Sequence, residues 1–310
     1  MRGPAVVLLA LLAAACAGGP PPSVDGLTRP ATVWRPPEAP RAVIVALHGF
    51  NDHRTAFDEF AAWAAGRGIL VEAYDQRGFG ENADRGYWAG TDAMVDDLRA
   101  AIARQRADHP GVPLYLLGES MGAAVIAVAM ARPDAPPVEG IVMTAPATWG
   151  GDAMNPFYRA TLWTARQLAP GLTLSGRGLG RMASDNIPML RGLGADPLVI
   201  KETRIDALAG LVDLMGEARA AGPRLPGPIL VVIGANDDIE PPDVQLDFTA
   251  RLTAQPCTLV WRTDGWHLLL RDLEREQVWQ DIADWIEGRQ PAGGRVGPCA
   301  DALAVAGAES

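Results

Sequence analysis

A doubly wound α/β fold, with a mostly parallel sheet and an inserted helical lid, is what this sequence predicts. Two patterns lead there. Short apolar runs rich in β-branched residues alternate with stretches of helical periodicity, as expected of strands buried on both faces and joined by right-handed crossovers. The alternation breaks off after residue 145 and resumes at 228, which marks an insertion over the carboxyl ends of the strands, where open α/β sheets bind ligands. Composition allows a large core, since 48% of the 310 residues are hydrophobic and 21% charged. The 34 glycines and 26 prolines stay below the share that marks a disordered or collagen-like chain. A formal net charge of -10 repels phosphate backbones and argues against nucleic acid as a partner. Lys201 is the sole lysine, a composition bias without mechanistic content.

The elements follow in order. Residues 1–15 read as a signal peptide, because Met1 and Arg2 precede an apolar run too short to span a bilayer as a finished helix. The small residues before Cys16 resemble a bacterial lipoprotein signal, in which that cysteine is acylated and becomes the mature N-terminus. An ordinary secretory signal cleaved near Ala15 or Ala17 is the alternative, and Ala13 stands where lipoprotein signals usually carry Leu. Either reading exports the chain: to a membrane anchor in the cell envelope with a lipidated Cys16, or to a periplasmic or secreted state without it. Residues 16–30, rich in Gly and Pro, form a tether.

The first part of the core covers 31–145. Ala31–Trp34 is expected as an antiparallel edge beside Ala42–Leu47, the first buried strand. A helix follows over 55–65, then the strand Ile69–Tyr74 and a helix over 91–107, capped by Thr91 with Asp92 in its first turn. A strand over 113–117, a helix over 121–131 and the strand Gly140–Thr144 complete this part. The lid, 146–225, carries one helix from Asn155 or Pro156 to Leu168 and another over 202–220. Within it Phe157, Tyr158, Leu162, Trp163 and Leu168 form a stripe that either packs on its own domain or touches lipid. The second part of the core, 226–288, has strands over 228–233 and 258–261 and a long helix over 268–286, and 289–310 form a C-terminal tail. An exported compartment would permit Cys257 and Cys299 to pair and pin that tail to the body. Two independent thiols are the other reading, since pairing cannot be deduced from sequence.

The chemistry concentrates at the ends of these strands. Gly118-Glu119-Ser120-Met121-Gly122 is a G-x-S-x-G turn between a strand and a helix, which pushes the serine out of a bend too tight for side chains on either flank. A serine hydroxyl needs a histidine base and a carboxylate to orient it. Of the four histidines, His48 and His53 follow the first central strand and His109 lies in a polar turn. His267 comes late in the chain at the end of the last central strand, as the Ser, Asp, His order requires, and is the expected base. The loop Gly234-Ala235-Asn236-Asp237-Asp238-Ile239 supplies the acid, with Asp237 chosen and Asp238 as the alternative. Backbone N–H groups of Phe50 and Met121 are the expected oxyanion donors.

His48-Gly49-Phe50 with His53, Asp75-Gln76-Arg77-Gly78-Phe79-Gly80, the GESMG turn, Gly234 to Asp237, Gly265-Trp266-His267-Leu268-Leu269 and the lid segment Asp196-Pro197-Leu198-Val199 together resemble the α/β-hydrolases of the monoacylglycerol lipase and lysophospholipase group. The resemblance covers about residues 40 to 287. It implies an α/β-hydrolase fold and a serine hydrolase of acylglycerol or lysophospholipid-type esters, working through an acyl-enzyme without a cofactor, with a mobile lid over the acyl tunnel. The chain departs from the group at Phe50, bulkier than the usual residue, at Ala123 after the turn, and at Phe79 where histidine is frequent. An amide- or peptide-cleaving hydrolase and an inactive lipid-binding module are the competing readings. No zinc-site pattern occurs, and Gly176-Arg177-Gly178-Leu179-Gly180 follows no strand and lacks the lysine of a phosphate loop. Partners are therefore a small lipid ester and, through Cys16 and the lid, a membrane; the sequence leaves the oligomeric state open.

Overall fold

The computed structural model describes residues 29–176, 180–253 and 256–307. The signal segment, Cys16, most of the tether and the middle of the Gly176–Gly180 motif lie outside them. In chain order the strands are β1 (Ala31–Trp34), β2 (Ala42–Leu47), β3 (Ile69–Tyr74), β4 (Leu114–Glu119), β5 (Gly140–Thr144), β6 (Thr173–Ser175), β7 (Glu202–Arg204), β8 (Ile229–Gly234), β9 (Cys257–Arg262) and β10 (Arg295–Pro298). The helices are α1 (Asp58–Ala65), α2 (Thr91–Asp108), α3 (Met121–Met130), α4 (Pro156–Leu168), α5 (Ile187–Ala195), α6 (Ile205–Ala221), α7 (Pro242–Ala250), α8 (Arg275–Ile286) and α9 (Ala302–Ala306).

Eight strands form one sheet in the order β1-β3-β2-β4-β5-β8-β9-β10. Neighbours from β3 through β9 run parallel, and only the two edge strands are antiparallel. Strand β2 shows why such runs are apolar throughout. Val43, Val45 and Leu47 point into one core with α2, α3, α6 and α7, while Ala42, Ile44 and Ala46 point into the other with α1 and α8. A sheet covered on both faces leaves no position for a polar alternation. The chain runs outward from β2 to β3 and then returns to β4 on the opposite side of β2. The loops after β2 and β4 therefore leave the carboxyl edge side by side, which makes a cleft there.

Several boundaries differ from expectation. Strand β1 pairs with β3 and not with β2, because β2 already lies between β3 and β4. Residues 54–57 form a 3-10 turn before α1. Thr91 is the first residue of α2, behind an N-cap Gly90 that gives no side-chain bond, so its predicted capping role is not met. Residues Glu202–Arg204 pair with β6 in a small two-stranded antiparallel sheet, and α6 begins only after them. The long helix predicted over 268–286 begins at Arg275. Ahead of it, the amides of Trp266, Leu268 and Leu273 donate to Asp272, Ala183 and Asp185, and the carbonyls of Leu270 and Arg271 accept from Trp279 and Asn186. Those tertiary partners take the backbone groups a helix would use. Through residue 307 the tail is ordered structure: β10 adds a strand to β9, and a disulfide ties Cys299, just past β10, to Cys257 of β9.

Candidate active site

Ser120 sits between β4 and α3 with φ 53 and ψ -115, a left-handed conformation that costs a non-glycine residue about 1–3 kcal/mol. Both neighbouring glycines are required. A Cβ on Gly118 would lie 2.4 Å from the Ala123 nitrogen, and one on Gly122 would lie 2.0 Å from the Leu47 carbonyl oxygen. The strained residue is held from several sides. Its amide donates to the Thr144 carbonyl at 2.9 Å, and its carbonyl accepts from the amides of Ala123, Ala124 and Ala147.

His267 follows β9, and Asp237 follows β8, the neighbouring parallel strand. The imidazole Nδ1 meets Asp237 Oδ2 at 2.8 Å, and since an ionised carboxylate only accepts, Nδ1 carries the proton. Asp237 is itself fixed: Oδ1 accepts the amides of Ile239 and Glu240 at 2.9 Å each, and Oδ2 accepts Gln245 Nε2 at 2.9 Å. Burial alone would lower the His267 pKa, but the charge and hydrogen bond of Asp237, with Glu119 and Glu240 beyond, raise it on balance. Asp238 is turned away. It pairs with Arg181 and accepts the Met182 amide, so it ties the inserted segment to this loop.

Ser120, His267 and Phe50 line one cavity of about 740 Å³, within the size range of small-molecule sites. The inserted segment supplies most of its apolar wall, including Trp149, Met154, Val199, Leu211 and Val212. Gly49 passes directly over the serine, its Cβ direction 3.4 Å from Ser120 Cβ, which brings the Phe50 amide to the same spot. Among the described residues neither the Phe50 nor the Met121 amide donates to a backbone carbonyl. The Phe50 ring packs edge-on against Phe79 at 5.5 Å, so the bulky side chain points into the wall.

The other histidines serve the framework. Buried His48 donates from Nδ1 to the Gly49 carbonyl and accepts the Gln76 amide at Nε2, and desolvation lowers its pKa and keeps it neutral. His53 Nε2 meets Asp196 Oδ2 at 2.9 Å, and His109 ends α2.

Three features escaped the sequence reading. Arg271 Nη2 lies 2.7 Å from Asp52 Oδ2 and 2.8 Å from Glu119 Oε2, a buried cluster that joins the loops bearing Phe50, Ser120 and His267. Two carboxylates hold the guanidinium charged, and burial pushes Glu119 above the usual carboxylate range. Glu240 lines the cavity, and burial raises its carboxyl to about 7. Asp272 accepts Ser184 Oγ at 2.5 Å and the Trp266 amide at 2.8 Å, and burial lifts it to about 6. A charged residue inside an apolar run, as in Leu268-Leu269-Leu270-Arg271, is the one signal that pointed to the first.

A family model described as serine aminopeptidase, S33, matches residues 38–274. The chain is 28% identical over 268 residues to the monoacylglycerol lipase of Mycolicibacterium smegmatis, covering 85% of this chain and 94% of that one. It is 27% identical to the monoglyceride lipase of Mus musculus, over 88% of this chain and 91% of the other. Among solved structures, the Paleococcus ferrophilus monoacylglycerol lipase superposes with a TM-score of 0.72 at 22% identity, covering 84% of this chain and 99% of that chain. A soluble variant of the Saccharomyces cerevisiae monoglyceride lipase, in complex with a substrate analogue, gives 0.71 at 16% identity, over 88% and 100%. These likenesses establish the α/β-hydrolase fold.

Proposed function

Because the chain belongs to the serine aminopeptidase S33 family, as an α/β-hydrolase of the monoacylglycerol lipase group, we propose that it hydrolyses acylglycerol esters through Ser120, His267 and Asp237. The chain is a carboxylic-ester hydrolase. The observation that carries the proposal is the 2.8 Å His267–Asp237 pair facing the same cavity as the strained Ser120.

In this reading His267 Nε2 takes the hydroxyl proton as Ser120 Oγ attacks the ester carbonyl. Asp237 holds the imidazole in the tautomer that leaves Nε2 free and stabilises the imidazolium that forms. The Phe50 and Met121 amides receive the oxyanion, each worth about two to three orders of magnitude in rate. The imidazolium then protonates the departing glycerol oxygen, and water, activated by the same histidine, releases the fatty acid. The predominantly apolar wall supports an acyl chain as the group bound there, with the inserted segment as the lid, and a lysophospholipid shares that requirement.

Export and membrane contact belong to the same proposal. The Cys257–Cys299 bond supports an oxidising compartment, and a lipidated Cys16 would anchor the chain there. Helix α4 supports contact with lipid, because Phe157 and Trp163 are 72% and 65% exposed, and Tyr158 and Leu168 are exposed beside them, while Leu162 of the same stripe is half-buried.

The test combines labelling of Ser120 by a fluorophosphonate with turnover of monoacylglycerols of graded chain length, their lysophospholipid counterparts and aminoacyl anilides. Labelled Ser120 and faster monoacylglycerol cleavage are expected. An unlabelled Ser120 would overturn the mechanism, and faster anilide cleavage the substrate class.

A further inference from the structure

The loop that carries the Phe50 amide is held from two sides, and one of them is the inserted segment. On the core side Asp52 Oδ2 accepts from Arg271. On the other side Asn51 Nδ2 donates to Thr203 Oγ1 at 2.7 Å, and the Asn51 carbonyl accepts the Ile200 amide at 2.9 Å. Thr203 is the middle residue of β7 and Ile200 precedes that strand, so both belong to the segment inserted between β5 and β8. Asn51 has φ 64, a left-handed value that asparagine tolerates better than most residues because its short amide bonds locally. Here the amide instead spans 152 positions in sequence to reach the lid. Asn51 and Thr203 both line the cavity beside Phe50.

We infer that Asn51 is a positioning residue that couples the lid to the oxyanion hole: its side-chain bond to Thr203 holds the Phe50 amide aimed at the developing charge. The inference rests on the proposed oxyanion role of Phe50. The Phe50 N–H belongs to the Gly49–Phe50 peptide, whose carbonyl accepts from His48 Nδ1 at 2.8 Å on the core side, while the next residue, Asn51, is bonded to the lid, so the turn that sets the direction of the amide is held from the lid as well as from the core. Loss of the Asn51–Thr203 bond leaves the backbone bond to Ile200 and the left-handed turn in place. It frees only the rotation that the side chain restrained. An oxyanion donor acts by preorganisation, and misalignment costs transition-state binding more than ground-state binding.

The experiment compares Asn51→Gly, which keeps the left-handed turn, and Thr203→Val, which keeps the strand side chain's shape, alone and together. A short soluble p-nitrophenyl ester serves as substrate and a trifluoromethyl ketone as tetrahedral analogue. Each single variant should lower kcat about ten-fold with KM nearly unchanged and weaken the ketone by a similar factor, since only the charged adduct uses the hole. The double variant should lose no more than either single one, because both remove the same bond. Melting temperatures report folding, and either variant decides the outcome if the other fails to fold. Unchanged kcat, a loss in KM alone, or losses that multiply would overturn the inference. Ser120→Ala run beside them separates the two levels: residual turnover there sinks the proposed mechanism, whereas a dead Ser120→Ala with a wild-type Asn51→Gly sinks only the role of Asn51.

Discussion

The amide of Glu240 donates to Asp237 Oδ1 at 2.9 Å, while the Glu240 carboxylate accepts the Thr148 amide at 2.5 Å. One residue thus orients the acid that holds His267 and carries a second, buried carboxyl into the same cavity. Burial pushes that carboxyl up to about 7, with Asp237 adding to the shift and the Thr148 amide and His267 opposing it. Its folded value lies above its unfolded one, so its contribution to stability is complete below pH 4.5 and is lost as pH rises through about 7. The loss amounts to roughly 3 kcal/mol at high pH. Glu240→Gln keeps an acceptor for Thr148 without the charge. Its melting temperature should exceed that of the wild type by a margin that grows between pH 5 and pH 8; a margin independent of pH would refute the assignment.

Arg271 neutralises two carboxylates, Asp52 and Glu119, close to Ser120 in the chain or at its cavity. Removing the cation leaves both buried without a counter-charge, a situation that typically costs about 3–5 kcal/mol. Arg271→Met should therefore lower the melting temperature by about 10 °C. Adding Asp52→Asn and Glu119→Gln should restore most of it. If Arg271→Met melts like the wild type in calorimetry, the cluster carries little of the stability assigned to it.

Six core strands and the elbow were legible because each rests on a local pattern. An apolar β-branched run specifies a doubly covered strand, and glycines around Ser120 specify a turn whose steric limits act within five residues. His267 and Asp237 were readable through their place at strand ends. What stayed hidden depends on partners far along the chain. Nothing local tells β1 to choose β3 over β2. The two-stranded sheet of β6 and β7 has three residues per strand, too few for a period, and every residue of β6 is on the exposed side. Residues 268–274 have helical spacing, yet Ala183, Asp185 and Asn186 take the bonds that a helix would need. The Arg271 cluster spans 219 and 152 positions, and the Asn51–Thr203 bond 152, so no window of sequence contains either.

The Cys257–Cys299 bond closes a separation of 42 residues, and both cysteines are buried at the edge where β10 pairs with β9. Cross-linking a loop of that length restricts the unfolded chain by an amount worth about 2–4 kcal/mol. Cys257→Ala with Cys299→Ala should lower the melting temperature by several degrees while kcat changes little, since the bond lies at the strand ends remote from Ser120. Unfolding without reductant should leave both wild-type thiols unalkylated; alkylation at either would contradict the pairing.

The last prediction separates the two neighbouring acids by their effect on one imidazole. In its proposed role of general base, His267 works only when neutral, so kcat/KM should rise with pH through its folded pKa. Burial lowers that value and Asp237, Glu119 and Glu240 raise it, with the carboxylates prevailing, so the acidic limb should lie above the ordinary histidine range. Asp237→Asn removes the largest raising influence and also the acceptor that selects the tautomer. It should move the limb down and reduce kcat by about four orders of magnitude, as the loss of a tautomer-fixing carboxylate does elsewhere. Glu240→Gln removes charge without touching the tautomer, so the limb should move down with kcat largely kept. Asp238 bonds Arg181 and the Met182 amide, away from the imidazole, and Asp238→Asn should leave limb and kcat in place. A collapse of kcat in Asp238→Asn, with Asp237→Asn active, would transfer the orienting role to the other residue.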